Sequence, residues 1–244
     1  MTASANSFIE APTGFGLIKA AQGIYEESAT AKAKLGTRVQ VGDRVFYYAY
    51  AGGVALVAGK IVSQAAVAAE TNKTVEAAAA AGTYSVTVTT VAAQLYLAEG
   101  YLCVNDAAGE GLMYKIKNSA ANATTATSTD ITLYDPIVTA LTTSSEVTML
   151  LNPYYDLDLS ATITDHIIGI PPIPVTANYY FWCQTWGPCP GLGTASTAVG
   201  SLVVPHTTDG ALVIQTAYTS NIVGSQMVVA VSGEYRPVFL RITP

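Results

Sequence analysis

The side chains best placed for chemistry lie between Asn178 and Gln215, where Cys183, Trp186 and Cys189 surround a Gly-Pro break. Trp186-Gly187-Pro188-Cys189 resembles the setting of a redox dithiol. That chemistry needs two cysteines separated by two residues, so that one thiol resolves the mixed disulfide formed by the other. Cys183 instead lies too far ahead of Cys189, with no αβ pattern around either. Both read as small hydrophobes in a packed region. Gly191-Leu192-Gly193 lacks the Lys-Ser/Thr ending of a phosphate-binding loop, and no helical pattern follows it. Asp165-His166 and His206 could join a serine in a triad, but in a chain so rich in serine coincidence is the better account. Asp156 and Asp158 flank a Tyr-Leu-rich loop and offer oxygen ligands to a hard cation, but no site at all is the plainer reading. No catalytic residue, cofactor or metal centre is expected from these patterns, and the chain does not read as an enzyme.

What must position these residues is a chain of unusual blandness. Its 244 residues are 50% hydrophobic and only 11% charged, with mean hydropathy +0.36 and net charge −6. An ordinary soluble domain is about 25% charged, and a monomer relies on charged surface for solubility. Surface this poor in charge points to burial in a larger assembly. The acidic balance gives no support to nucleic-acid binding. No apolar run approaches the ~18 residues of a membrane span, and the N-terminal stretch has neither a basic region nor an apolar core. Three cysteines, an odd number, argue against a disulfide scaffold and fit a reducing cytoplasm.

The pattern along the chain is mainly β. Residues 1–35 carry scattered apolar side chains, Phe8, Phe15, Ile18 and Ile24 among them, too sparse for a core of their own. They read as an extended arm that orders against a partner. Val45–Tyr50 and Val54–Val57 form an expected hairpin about Gly52-Gly53, with Tyr47, Tyr48 and Tyr50 as cross-strand packing residues. Residues 64–81 have helical propensity in two short Ala-rich halves, below the ~12 residues an isolated helix needs, and a connector into a strand is equally open. Residues 82–152 read as a compact β module with strands at Tyr84–Val91, Gly100–Val104, Leu112–Ile116, Asp130–Tyr134 and Val147–Leu151. Short strands at 8–12-residue spacing suggest a sandwich or barrel.

After Pro153 the aromatic, low-charge character of the early hairpin returns. This divides the chain into the arm 1–35, a β base of 36–81 with 153–244, and an inserted module 82–152. The prolines of Ile170–Pro174 form a stiff connector into Tyr179, Tyr180, Phe181 and Trp182, which suit a strand covered on both faces. Pro188 and Pro190 should end any strand between Trp186 and Gly193. Leu202–Pro205 and Ala211–Gln215 pair across Thr208-Asp209-Gly210, and Gln226–Ser232 and Val238–Ile242 finish the chain as strands.

The segments LGTRVQVGDRVFYYAYAGGVALVAGK, AEGYLCVNDAAGEGLMYKIKN, LYDPIV and FWCQTWGPCPGL together resemble structural proteins encoded beside the major capsid gene of tailed bacteriophages. The likeness spans roughly Leu35 to Ile242. It implies a virion protein without catalytic residues, most naturally a capsid decoration (cement) protein on the outer head surface, assembled in the host cytoplasm. The implied partners are the major capsid protein and further copies of the chain, as a homotrimer. Phe8, Phe15, Ile18, Ile24, Tyr179, Tyr180, Trp182 and Trp186 are the candidate interface residues. The alternatives are a tail or head-fibre component, or a carbohydrate- or receptor-binding β module stacking a host-surface glycan on Trp182, Trp186 and the tyrosines.

Overall fold

The structure, a computed structural model, describes residues 22–64, 70–89, 97–119, 128–163, 165–216 and 221–244. Among them every regular element is a β-strand, giving an all-β protein of several antiparallel sheets. The chain divides into two compact units, a base of residues 1–65 with 154–244 and an inserted unit of residues 66–153. The expected boundary at 82 is displaced: residues 70–81 belong with the inserted unit, through a strand that the Ala-rich propensity concealed.

The base opens with β1 (Arg38–Val41) and β2 (Arg44–Tyr50), joined by the two-residue turn Gly42-Asp43. Gly42 has φ +62°, as a II′ hairpin turn requires at its first central position. The hairpin therefore precedes the one expected at Gly52-Gly53. Val54–Val57 forms no strand, and only Leu56 makes a bridge, to Val175. β3 (Val62–Gln64) ends this first passage.

The inserted unit holds β4 (Glu70–Thr74), β5 (Ser85–Thr89), β6 (Tyr101–Asp106), β7 (Met113–Ser119), β8 (Ser128–Leu133) and β9 (Glu146–Leu150). They form one sheet in the order β4-β9-β6-β7-β8-β5. Its two ends meet again through the Val75–Val88 bridge and the Glu76 N–H bond to Thr87 O, 2.9 Å. Such curling satisfies edge groups that would otherwise recruit another chain. Alternation does the rest: Val86 and Val88, Leu102 and Val104, Tyr114 and Ile116, Ile131 and Leu133, Val147 and Met149 all point inward and are buried.

The returning base strands are β10 (Leu157–Leu159), β11 (Ile167–Gly169), β12 (Tyr180–Leu192), β13 (Leu202–Pro205), β14 (Leu212–Ile214), β15 (Gly224–Gln226) and β16 (Tyr235–Arg241). They complete a seven-stranded sheet, β1-β2-β12-β16-β15-β13-β14, and a small sheet, β10-β3-β11. Val62, Leu157 and Ile168 of the small sheet pack with Ala49, Phe181 and Cys183 of the large one. A neighbouring cluster joins Ile61, Ile167 and Ile170 to Cys189, Val203, Val238 and Leu240.

β12 corrects the expectation that Pro188 and Pro190 end a strand. It runs for 13 residues straight through them, with Pro188 opposite Phe239 and Pro190 opposite Pro237. A proline is tolerated in a ladder where its missing N–H would point away from the bonded neighbour. Here that edge has no strand beside it: Gln184 Nε2 donates to the carbonyls of Trp186 and Pro188, and Leu192 N–H donates to Gly59 O.

Many strands are introduced by the same device. At Ala80–Thr83 a turn places Gly82 at φ +87°; Gly82 N–H donates to Ile137 O, and Ile137 N–H donates back to Thr83 O, each 2.8 Å. This is a glycine-type β-bulge, in which the left-handed residue adds one position and a local twist. The reciprocal pair recurs at Gly36 with Tyr48, Glu99 with Ile116, Gly111 with Val104, Gly200 with Gln226 and Gly233 with Gly193.

Candidate assembly surface

The expected interface residues separate into three groups. Phe8, Phe15 and Ile18 lie outside the described residues. Ile24 and Trp182 are each only 2% exposed, in one cluster with Val39, Phe46 and Tyr48. Tyr179, Tyr180 and Trp186 are half-buried.

The second group is a correction to the reading of residues 1–35 as an arm for a partner. Its last third covers the chain's own sheet. Trp182 Nε1 donates to Gln22 O at 2.9 Å, and Tyr48 Oη donates to Gln22 Oε1 at 2.7 Å. Ser28 and Tyr180 exchange backbone bonds of 3.0 and 2.8 Å. Tyr180 and Trp182 alternate along β12 with Phe181 and Cys183, which face the opposite core. The strand is thus covered on both faces, and residues 22–33 supply the second cover because Ile24 and Ala33 bury better there than in water.

Burial also removes Trp182 as a stacking platform for a sugar. Trp186 packs edge-on against Phe239, ring centroids 5.7 Å apart, with the Arg241 guanidinium over Phe239. The tyrosines of β2 stack on other tyrosines: Tyr47 on Tyr154, Tyr50 on Tyr155 and Tyr48 on Tyr180.

Cys183, Cys189, Asp165 and His206 make packing or local hydrogen-bond contacts within the base. Cys183 and Cys189 are free and buried, and burial pushes both thiols far up, so they stay protonated. Asp165 is occupied in closing its own loop: its Oδ2 accepts from Ser63 Oγ, Ser160 Oγ and the N–H groups of Ala161 and Thr162, at 3.0–3.3 Å. Burial alone would raise this carboxyl, but the hydrogen bonds outweigh it and hold it below the usual range. His206 Nδ1 accepts the N–H of Thr208, two residues on. Asp156 and Asp158 do converge: a Cβ added to Gly52 would lie 2.9 and 2.8 Å from their Oδ1 atoms. Asp158 Oδ1 is buried without a hydrogen bond, and burial, then the charge of Asp156, raises its carboxyl. Among the described residues no group of three or more His, Cys, Asp or Glu could hold a metal ion, and no helix is long and apolar enough to cross a membrane.

The surface that stands out was hidden in a stretch read as a strand. Gln226–Ser232 is not one: β15 stops at Gln226, and residues 227–231 run on as a bent segment held by the Thr197–Ala230 bridge. Residues 197–202 run antiparallel to it, tied by Gly200 N–H to Gln226 O and by Leu202 opposite Ser225. Along this ribbon Val199 (60%), Val229 (54%), Met227, Val228, Val231 and Leu202 are all exposed. Residues 191–205 and 221–233 contain no charged side chain. Beyond them come Glu234 and Arg236, paired at 2.6 Å. The sequence signal was present as an uncharged apolar run, which reads as a strand from its composition alone.

No protein-family model, no curated protein and no solved structure matches the chain.

Proposed function

We propose that the protein is a structural component of a tailed-phage virion that binds the outer surface of the capsid as a decoration protein. In this reading it assembles as a homotrimer and contacts the major capsid protein. The observation that carries the reading is the apolar ridge of Val199, Leu202, Met227, Val228, Val229 and Val231 on a chain with few charges. Contiguous exposed apolar residues of this kind mark surfaces that are covered in an assembly. Permanent interfaces are the more hydrophobic ones, and many modest contacts on a lattice add by multivalency. The resemblance of the segments from Leu35 onward to proteins encoded beside capsid genes supplies the choice of assembly.

The test is imaging of heads of the parent phage with and without this protein, together with co-sedimentation of the purified chain with undecorated heads. The expected result is regular density on the head surface that disappears with the protein and returns on its addition. Heads that bind none of it, and particles without such density, would falsify the decoration role.

A further inference from the structure

We propose that the ridge formed by residues 197–202 and 226–231 is the surface by which one copy of this chain binds a second copy. The inference rests on the assembly reading above and names the occupant of its exposed surface. The ridge is a paired ribbon, fixed by the Thr197–Ala230 bridge and the Gly200–Gln226 bonds, so its apolar side chains are presented on a defined backbone. Association therefore needs little ordering of the ribbon itself.

The charge distribution selects a second copy as the partner. Each chain carries net charge −6, so two copies repel unless they meet where the surface is locally neutral. Residues 191–205 and 221–233 provide such a surface. At its end Glu234 and Arg236 stand side by side, their side chains 51% and 40% exposed. Neighbouring plus and minus charges beside an apolar strip form a self-complementary pattern, since Glu234 of one copy can face Arg236 of the next in a symmetric closed contact. An acidic or basic partner would instead find no matching excess of charge on the ridge.

Sedimentation velocity of the full chain over a range of concentrations tests this without any capsid present. The wild-type chain is expected to self-associate, and Val229→Glu to weaken association at least tenfold. Glu234→Arg should weaken it less, by placing like charges in the contact. Glu234→Arg combined with Arg236→Glu should restore it, because every copy then carries the exchanged pair. Circular dichroism and thermal melting identify any variant that fails to fold, and Val199→Lys is the replacement for Val229→Glu in that case. A wild-type chain that is monomeric throughout, an oligomer indifferent to both ridge variants, or a charge exchange that fails to restore association each overturns the proposal. Head binding by a monomeric protein would leave the decoration role intact while removing this one.

Discussion

Tyr154 lies face to face on Tyr47, ring centroids 4.7 Å apart and planes 4° from parallel. Tyr155 does the same to Tyr50 at 5.2 Å, and Tyr50 N–H donates to Tyr154 O. These are the first residues of the base after the inserted unit. The chain returning from an 88-residue excursion (66–153) is thus fastened to β2 by two ring stacks and a backbone bond. Loop closure over such a length is costly in entropy, and the stacks offset part of it.

Tyr154→Ala should destabilise the base by about 1–3 kcal/mol, combining lost burial with the ~0.5–1.5 kcal/mol of an aromatic pair. Both tryptophans, Trp182 and Trp186, lie on β12 of the base, so tryptophan emission during denaturant unfolding reports that unit. An unshifted emission transition would show that the stack contributes nothing.

The bulges give a second set of expectations. A Cβ at Gly82 meets nothing within 4 Å, so only its φ of +87° resists substitution. Gly82→Ala should cost about 1–2 kcal/mol and Gly82→Asn less, since Asn tolerates the left-handed region. Gly224 is different: a Cβ there would collide with Phe239 O, so Gly224→Ala must part β15 from β16. A larger loss of stability is expected there than for either Gly82 variant, and equal melting temperatures for Gly82→Ala and Gly224→Ala would contradict this account.

These bulges also mark how far the sequence could be read. The strands of the inserted unit were legible because Val86, Val88 and their counterparts alternate cleanly and one face alone is buried. β4 was not, because Glu70–Thr74 (ETNKT) has almost no apolar content and takes its place from its neighbours β9 and β5. β12 was misread at Pro188 because strand propensity says nothing about which edge will be bonded. Ile24 looked like an anchor for a partner because sequence cannot distinguish a chain's own sheet from another's. The ridge failed for the opposite reason: Met227–Val231 has the composition of a core strand, yet only Ala230 of it is buried and Met227, Val228, Val229 and Val231 are exposed.

Two aspartates should respond to pH in opposite senses. Asp158 has its carboxyl raised by burial and by Asp156, so the folded protein binds that proton more tightly than the unfolded chain. Its favourable contribution is present below the unfolded value and is lost as pH rises through the raised folded value. Asp165 is held low by its hydrogen bonds, so its contribution is present above the unfolded value and is lost as pH falls through the folded one. At neutral pH Asp158→Asn should raise the melting temperature and Asp165→Asn should lower it, the latter through a stability loss of roughly 1 kcal/mol. Shifts of the same sign in both variants, measured from pH 3 to 8, would exclude this assignment.

The thiols should divide by burial. Cys183 and Cys189 are buried and held protonated, whereas Cys103 is half-buried on β6. Because the thiolate is the reactive form, a disulfide reagent at pH 8 should titrate Cys103 alone in the folded chain and all three cysteines in denaturant. Rapid modification of Cys183 in the native protein would require the Phe181–Ala49 core to open.

The last prediction concerns where the inserted unit begins. β4 pairs with β9, and Val75 and Glu76 join its end to β5. Val75 and Ala79 are buried, Ala79 opposite Leu141. A fragment of residues 66–153 therefore keeps the curled sheet and its core. A fragment of residues 82–152, cut where the sequence alone would place the boundary, loses β4, frees the outer edge of β9 and uncovers Val88 and Leu141. Exposed edges invite pairing with other chains, and losing two buried side chains removes about 2–4 kcal/mol of burial, a large share of what a unit this small has available. The longer fragment should unfold cooperatively and remain monomeric, and the shorter one should melt far lower or aggregate. Equal stability of the two fragments would mean that β4 decorates a sheet already complete without it, and that the bonds from β4 to β9 and β5 do not close the unit.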